Sequence, residues 1–147
     1  MSLTEWLNQG WLSPHRSSRK EIGSLLKIVD RDLTDAAGHE ISDDWRFGIA
    51  YNAALKLCTI LLHASGYRVI GVGHHYRTIR ALPAILGKKW ENDARYLDTC
   101  RSKRNIVEYD YVGGVSEGDV EELIQFVHQL RGVVLAWLEE VHPEFLL

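Results

Sequence analysis

Cysteine, proline and methionine are scarce in this chain. The two cysteines, Cys58 and Cys100, fall inside helical patterns and show no metal-ligand spacing. That excludes a disulfide framework or a cysteine-based zinc site and leaves two reduced, buried thiols. The three prolines stand where helical patterns break. No apolar run approaches the length needed to cross a bilayer, and no basic stretch precedes an apolar one at the N-terminus. The expectation is a cytoplasmic chain with no membrane partner. A Gly-rich phosphate loop, an H-E-x-x-H pair and a Ser/His/Asp constellation are also missing. Gly71-Val72-Gly73 lacks the strand-to-helix setting of a dinucleotide site. Neither a metal nor a cofactor is expected.

What is present reads as helix. The 147 residues suffice for one domain with its own core, spanning 1–147. Thr4 to Leu12 predicts a short amphipathic helix stopped by Ser13-Pro14. Ser18 with Glu21 fits a capping box. Behind it, Ile22, Leu25, Leu26, Val29, Leu33, Ala36 and Ala37 form a helical stripe, giving a helix over 18–37 that ends at Gly38. Ser42 and two aspartates open a second helix, whose apolar residues from Trp45 to Ala64 cover nearly all sides and mark it as central. Residues 67–73 alternate briefly but find no partner strand, so they read as loop. His74 to Leu86 predicts a helix kinked or ended by Pro83, and a further helix runs from about Lys88 to about Tyr109. Ser116 with Asp119 opens the last helix, which keeps an unbroken apolar stripe as far as Pro143. The expected class is all-α, an antiparallel helical bundle of four main helices plus short helices.

Basic charge is unevenly spread. Residues 77–104 carry eight Lys and Arg against three acids, whereas residues 105–147 carry one basic residue against nine acids. Segregation of this kind means either internal matching between helices or a basic patch for a polyanion. Within the basic segment, the stripe of Trp90, Ala94 and Leu97 continues as Arg101, Arg104 and Glu108. Side chains three and four apart share a helix face. Two guanidiniums therefore extend a surface that began as core, and they need acidic partners, a groove or a second subunit. Arg104 and Glu108 read equally well as an i,i+4 ion pair.

The layout and several patterns resemble the HEPN family (higher eukaryotes and prokaryotes nucleotide-binding). The patterns are Trp6 to Leu12 ahead of the first long helix, Tyr51-Asn52-Ala53-Ala54-Leu55, Gly73-His74-His75, and Arg104-Asn105 late in its helix. The family signature is R-x-x-x-x-H, with a polar residue after the arginine and a tyrosine two after the histidine. Arg104, Asn105 and Tyr111 match it, while Tyr109 stands at the histidine position, as in a branch reading R-N-x-x-x-Y-D. The resemblance implies a HEPN-like homodimer whose motif helices face each other across a cleft. It also implies a metal-independent ribonuclease or RNA- or nucleotide-associated component of a toxin–antitoxin, defence or stress system, with a nucleotidyltransferase-type antitoxin as partner. On this reading Arg104 and Tyr109 are the catalytic candidates, and Arg101, Lys103, Arg104, Asn105, Tyr111, His74 and His75 contact phosphate. A free tyrosine, with a pKa of ~10 against ~6.5 for histidine, is only ~0.1% ionised at neutral pH. Tyr109 thus suits a hydrogen-bond donor better than a general base, and His74 and His75 become substitute bases if their loop approaches the cleft.

Blander readings stand beside these. Tyr109 and Tyr111 pack with satisfied hydroxyls, and Asn105 caps or bridges backbone. On a helix, adjacent His74 and His75 point about 100° apart and chelate poorly. His63 and His128 read as core-edge histidines, and the five tryptophans as packing residues. The competing function is a non-enzymatic dimeric protein-interaction module with a polar seam.

Overall fold

The structure, a computed structural model, describes residues 2–109 and 113–146, with side chains for all of these except 107–109. Helices dominate. In chain order they are α1 (Leu3–Asn8), α2 (Arg19–Ala37), α3 (Asp43–Ala64), α4 (His74–Ile79), α5 (Glu91–Tyr109) and α6 (Glu117–Val141), with short strands β1 (Leu12–Pro14) and β2 (Tyr67–Val69). The starts of three long helices follow from local chemistry. Ser18 Oγ accepts from the Glu21 N–H at 3.1 Å, and Ser42 Oγ from the Trp45 N–H at 3.2 Å. Ser116 and Asp119 close a full capping box, with bonds of 3.0 Å in both directions. Each cap contributes about 1 kcal/mol by satisfying an otherwise orphaned donor.

α3 is the hub, packing against α2, α5, α6 and α4. It has apolar residues on nearly every side because nearly every side is covered. Ala50, Ala53, Ala54, Leu57, Cys58, Ile60 and Leu61 are fully enclosed. By length and composition its 22 residues would suffice to cross a bilayer, which corrects the expectation that no apolar run reaches that length. Here 61% of its most apolar stretch is buried inside the protein. The stripe of α2 is seated as its spacing implied, through Ile22, Val29, Leu33 and Ala36, although Ala37 is exposed.

Two polar bridges cross this core. Asp32, buried in α2, accepts from Asn52 Nδ2 of α3 at 2.7 Å and from Arg31 Nε at 3.0 Å. Arg46, at 1% exposure, donates from Nε to the Ala36 carbonyl at 2.8 Å and from Nη1 to Asp43 at 3.2 Å. Its Nη2 donates to Glu121 of α6 at 3.0 Å.

Four sequence expectations are corrected. Residues 67–69 are a strand, because their partner lies at the other side of the helical sequence. β1 pairs antiparallel with β2, Leu12 facing Val69 and Pro14 facing Tyr67. Pro14 is tolerated at the end of so short a strand, and the first helix closes at Asn8, earlier than expected. α4 stops at Ile79, before Pro83, and Leu82–Leu86 winds as a π turn around that proline. Lys88–Trp90 form a 3-10 turn, so α5 starts at Glu91. The ribbon and α1 cap one end of α3 with a second apolar cluster, in which Trp6, Leu12, Leu62 and Ala81 are buried.

Candidate functional site

The apolar stripe of α5 runs on one residue further than its heptad reading suggested. Ala94, Leu97 and Cys100 are all buried, and charge begins beside Cys100 rather than in its place. Arg101 is 29% exposed and turns back along its own helix, donating from Nε to Asp98 Oδ1 at 2.7 Å. Lys103 reaches across to Asp119 of α6 at 2.8 Å, and Arg80 makes a bidentate pair with Glu91 at 2.7 and 2.8 Å. Of these pairs, Lys103–Asp119 joins the basic segment to the acidic one, and the other two lie within the basic segment itself.

Arg104 is placed differently. Its guanidinium lies 5.8 Å from the ring centre of Tyr51, within cation–π range, and Nη1 donates to Asn105 Oδ1 at 3.3 Å. Tyr51 belongs to α3 and is 1% exposed. Its hydroxyl lies 3.2 Å from Nδ1 of His75, in the first turn of α4, and the two rings are 5.8 Å apart. The packing of α4 against α3 and α5 makes this meeting, with Thr78 and Ile79 buried. Arg77 fixes the loop before it, donating to the Ile70 carbonyl at 2.9 Å while its guanidinium sits 4.5 Å from the Trp11 ring centre. The loop turns through Gly71 and Gly73, both at φ values that side chains resist.

The field in this cluster is positive. Burial, then Arg104, Arg101, Lys56 and His74, hold the His75 pKa below the ordinary histidine value, so its imidazole is neutral at neutral pH. Burial pushes the Tyr51 phenol up, against the pull of Arg101 and Arg104, so it stays protonated. The cluster therefore offers a neutral imidazole and a neutral phenol beside fixed guanidinium charge, a set able to receive an anion and to exchange a proton.

Beside it lies a cavity of about 550 Å³ whose lining includes Trp6, Trp11, Tyr76, Arg80, Arg95 and Asp98. Asp98 serves both, since it lines the cavity and holds Arg101.

Of the residues singled out by sequence, Arg101, Arg104, Asn105 and His75 come together. Lys103 is drawn to Asp119 on α6. His74 is exposed. Tyr111 lies outside the described residues, as do the side chains of Glu108 and Tyr109, so the Arg104–Glu108 pair falls there too. Sequence reasoning assigned no role to Tyr51 or Asp98. The i,i+3 spacing of Asp98 and Arg101 is a local signal that could have revealed their pairing. Nothing local links Tyr51 to His75.

Of the two histidines read as core-edge, His63 keeps that place, half-buried, and His128 does not. His128 is exposed. His63 Nδ1 lies 2.8 Å from Glu21 Oε1, and His15 Nε2 lies 2.7 Å from the same oxygen. Glu21, which a capping box would turn back onto Ser18, faces these rings. No family model, no curated protein and no solved structure matches the chain.

Proposed function

We propose that the chain is a HEPN-like helical bundle that binds RNA or a nucleotide-bearing partner through the cluster around Arg104. The observation that carries this reading is the 3.2 Å contact between His75 and Tyr51, with the Arg104 guanidinium over the same phenol ring. The R-N-x-x-x-Y motif lacks an imidazole, and α4 supplies one from elsewhere in the chain. A phosphate received by Arg104 and Arg101 would sit among groups suited to metal-independent transesterification. Guanidinium stabilises the developing phosphorane charge, and a neutral imidazole takes the ribose 2′-hydroxyl proton. For that role His75 donates its Nδ1–H to Tyr51 Oη and keeps the Nε2 lone pair for the substrate. A homodimer would set two copies of Arg104 across one groove, and the cellular role would be a toxin–antitoxin, defence or stress system with a nucleotidyltransferase-type antitoxin as partner.

The test is cleavage of labelled RNA in the presence of a chelator, comparing wild type with Arg104→Ala, His75→Ala and Tyr109→Phe. Cleavage lost in the first two and retained in the third is the expected pattern. Equal background from all four ends the catalytic reading.

A second reading is favoured by the pairing of Arg101 with Asp98 and of Lys103 with Asp119 inside one chain. Cations already neutralised suit the polar seam of a protein-interaction module. On that reading wild type has no affinity for RNA, and Arg104→Ala shifts only the monomer–dimer balance in sedimentation.

A further inference from the structure

Three side chains from three separate segments converge at the end of α3 that the β-ribbon covers. His15 follows β1, Glu21 lies in the first turn of α2, and His63 in the last turn of α3. His15 Nε2, Glu21 Oε1 and His63 Nδ1 all lie within 4.8 Å of one another. Both nitrogens approach one carboxylate oxygen, at 2.7 and 2.8 Å, and the imidazole ring centres are 4.3 Å apart. We propose that His15, Glu21 and His63 bind a divalent late first-row transition ion, zinc by their donor chemistry.

Two imidazoles and one carboxylate form the donor set of zinc sites that keep an open position for water, and imidazole also suits copper and nickel. Tetrahedral zinc with bonds of about 2.0–2.1 Å needs donor atoms about 3.3 Å apart. Reaching that spacing from 2.7 and 2.8 Å takes small side-chain shifts, because the three backbones are already tied down. The His15 N–H donates to the Gly66 carbonyl at 2.8 Å, and the ribbon pairs Pro14 with Tyr67 beside it. The Glu21 N–H is held by Ser18 Oγ. Ser17 Oγ donates to Glu21 Oε1 at 2.9 Å, an outer contact of the kind that orients ligating carboxylates.

The side chains are 22%, 34% and 21% exposed for His15, Glu21 and His63, so an ion can enter and water can complete its shell. Ligation uses the neutral imidazoles, with the His15 proton on Nδ1 and the His63 proton on Nε2. The bound ion would tie the N-terminal ribbon to α2 and α3. It would lie about 18 Å along α3 from Tyr51, so it is separate from the cluster around Arg104.

The test uses the full chain, free of any affinity tag and stripped with chelator. Cobalt(II) is titrated by visible absorption, and zinc by competition with a chromophoric chelator. His15→Gln and His63→Gln are run in parallel, because glutamine keeps a donor to Glu21 and loses the ring nitrogen. The expected result is one ion per chain, with a d–d band intense enough for four or five ligands. Each variant should bind at least about 100-fold more weakly, as loss of a direct ligand exceeds the penalty for an outer contact. Zinc should raise the melting temperature of wild type and of neither variant. Equal affinity in all three proteins overturns the site. Should a variant fail to fold, paramagnetically shifted proton resonances of the wild-type cobalt form decide. Two shifted imidazole rings support the site, and fewer than two overturn it.

Discussion

Replacing Arg46 by methionine removes a buried guanidinium while keeping most of its volume. The Ala36 carbonyl lies in the last turn of α2, where helix carbonyls have no intrahelical partner, so losing the Nε donor orphans it. An unsatisfied buried acceptor costs about 1–3 kcal/mol. Asp43 and Glu121 are 40% and 56% exposed and rehydrate once released, so each lost pair costs only about 0–1 kcal/mol. Against these losses, methionine escapes the desolvation of a fully enclosed cation. The net expectation is a loss of about 1–3 kcal/mol for Arg46→Met. Arg46→Ala leaves a cavity as well and should lose about 3–5 kcal/mol. Urea unfolding followed by circular dichroism measures both, and an unchanged m-value shows that the unfolded reference is the same. At about 2–4 °C per kcal/mol for a chain near this size, the methionine variant should melt roughly 2–12 °C lower. A methionine variant as stable as wild type would refute the reasoning, since the desolvation of Arg46 would then cancel everything its three partners return.

Three further predictions follow from the site and the thiols. Fluorescence anisotropy with single-stranded RNA should show Arg104→Ala weakening binding by about 1.5–3 kcal/mol, roughly 10- to 150-fold. Lys103→Ala should do much less, because Asp119 already claims that ammonium; equal losses would count against the placement of Lys103. Side-chain NMR should find the His75 imidazole titrating below 6.5, with Arg104→Gln moving the midpoint up. An anion bound beside it favours the protonated ring, so nucleotide affinity should rise as pH falls through that midpoint; a midpoint at or above 6.5 contradicts the buried, cationic setting. Burial pushes the Cys58 thiol up to about 12 and the Cys100 thiol up to about 11. Neither should react with a thiol-directed dye at neutral pH until denaturant is added. Rapid labelling of the native protein would contradict their enclosure.

The sequence carried the local part of this fold well. Ser18, Ser42 and Ser116 announce helix starts because a cap needs only the next three residues. The covered faces of α3 announce its central place because burial and apolarity go together. What escaped was everything made by distant segments. The alternation after Gly66 was visible, but its three-residue partner β1, ending in Pro14, carries no pattern that marks it as a strand. Pro83 signalled a break in the helix, but not the π turn that contains it. Arg104 stood out as charge where apolar residues were due, whereas its neighbour Tyr51 looked like any core aromatic of α3. Glu21 read as half of a capping box, since neither His15 nor His63 lies close enough in sequence to suggest another use.

The pairing of β1 with β2 also constrains the order in which the protein can be made. Leu12 waits for Val69, about 55 positions further on, and so does the seat of Trp6 and Leu12 against Leu62. At about 5–20 residues per second of synthesis, the early segment spends roughly 3–11 seconds with two tryptophans and three leucines uncovered. α3 ends at Ala64, two residues short of β2, so the apolar seat of Trp6 and the strand partner of Leu12 become available almost together. The N-terminal segment is therefore covered in one late step, and an agent that shields exposed aromatic residues on the ribosome would find its target there.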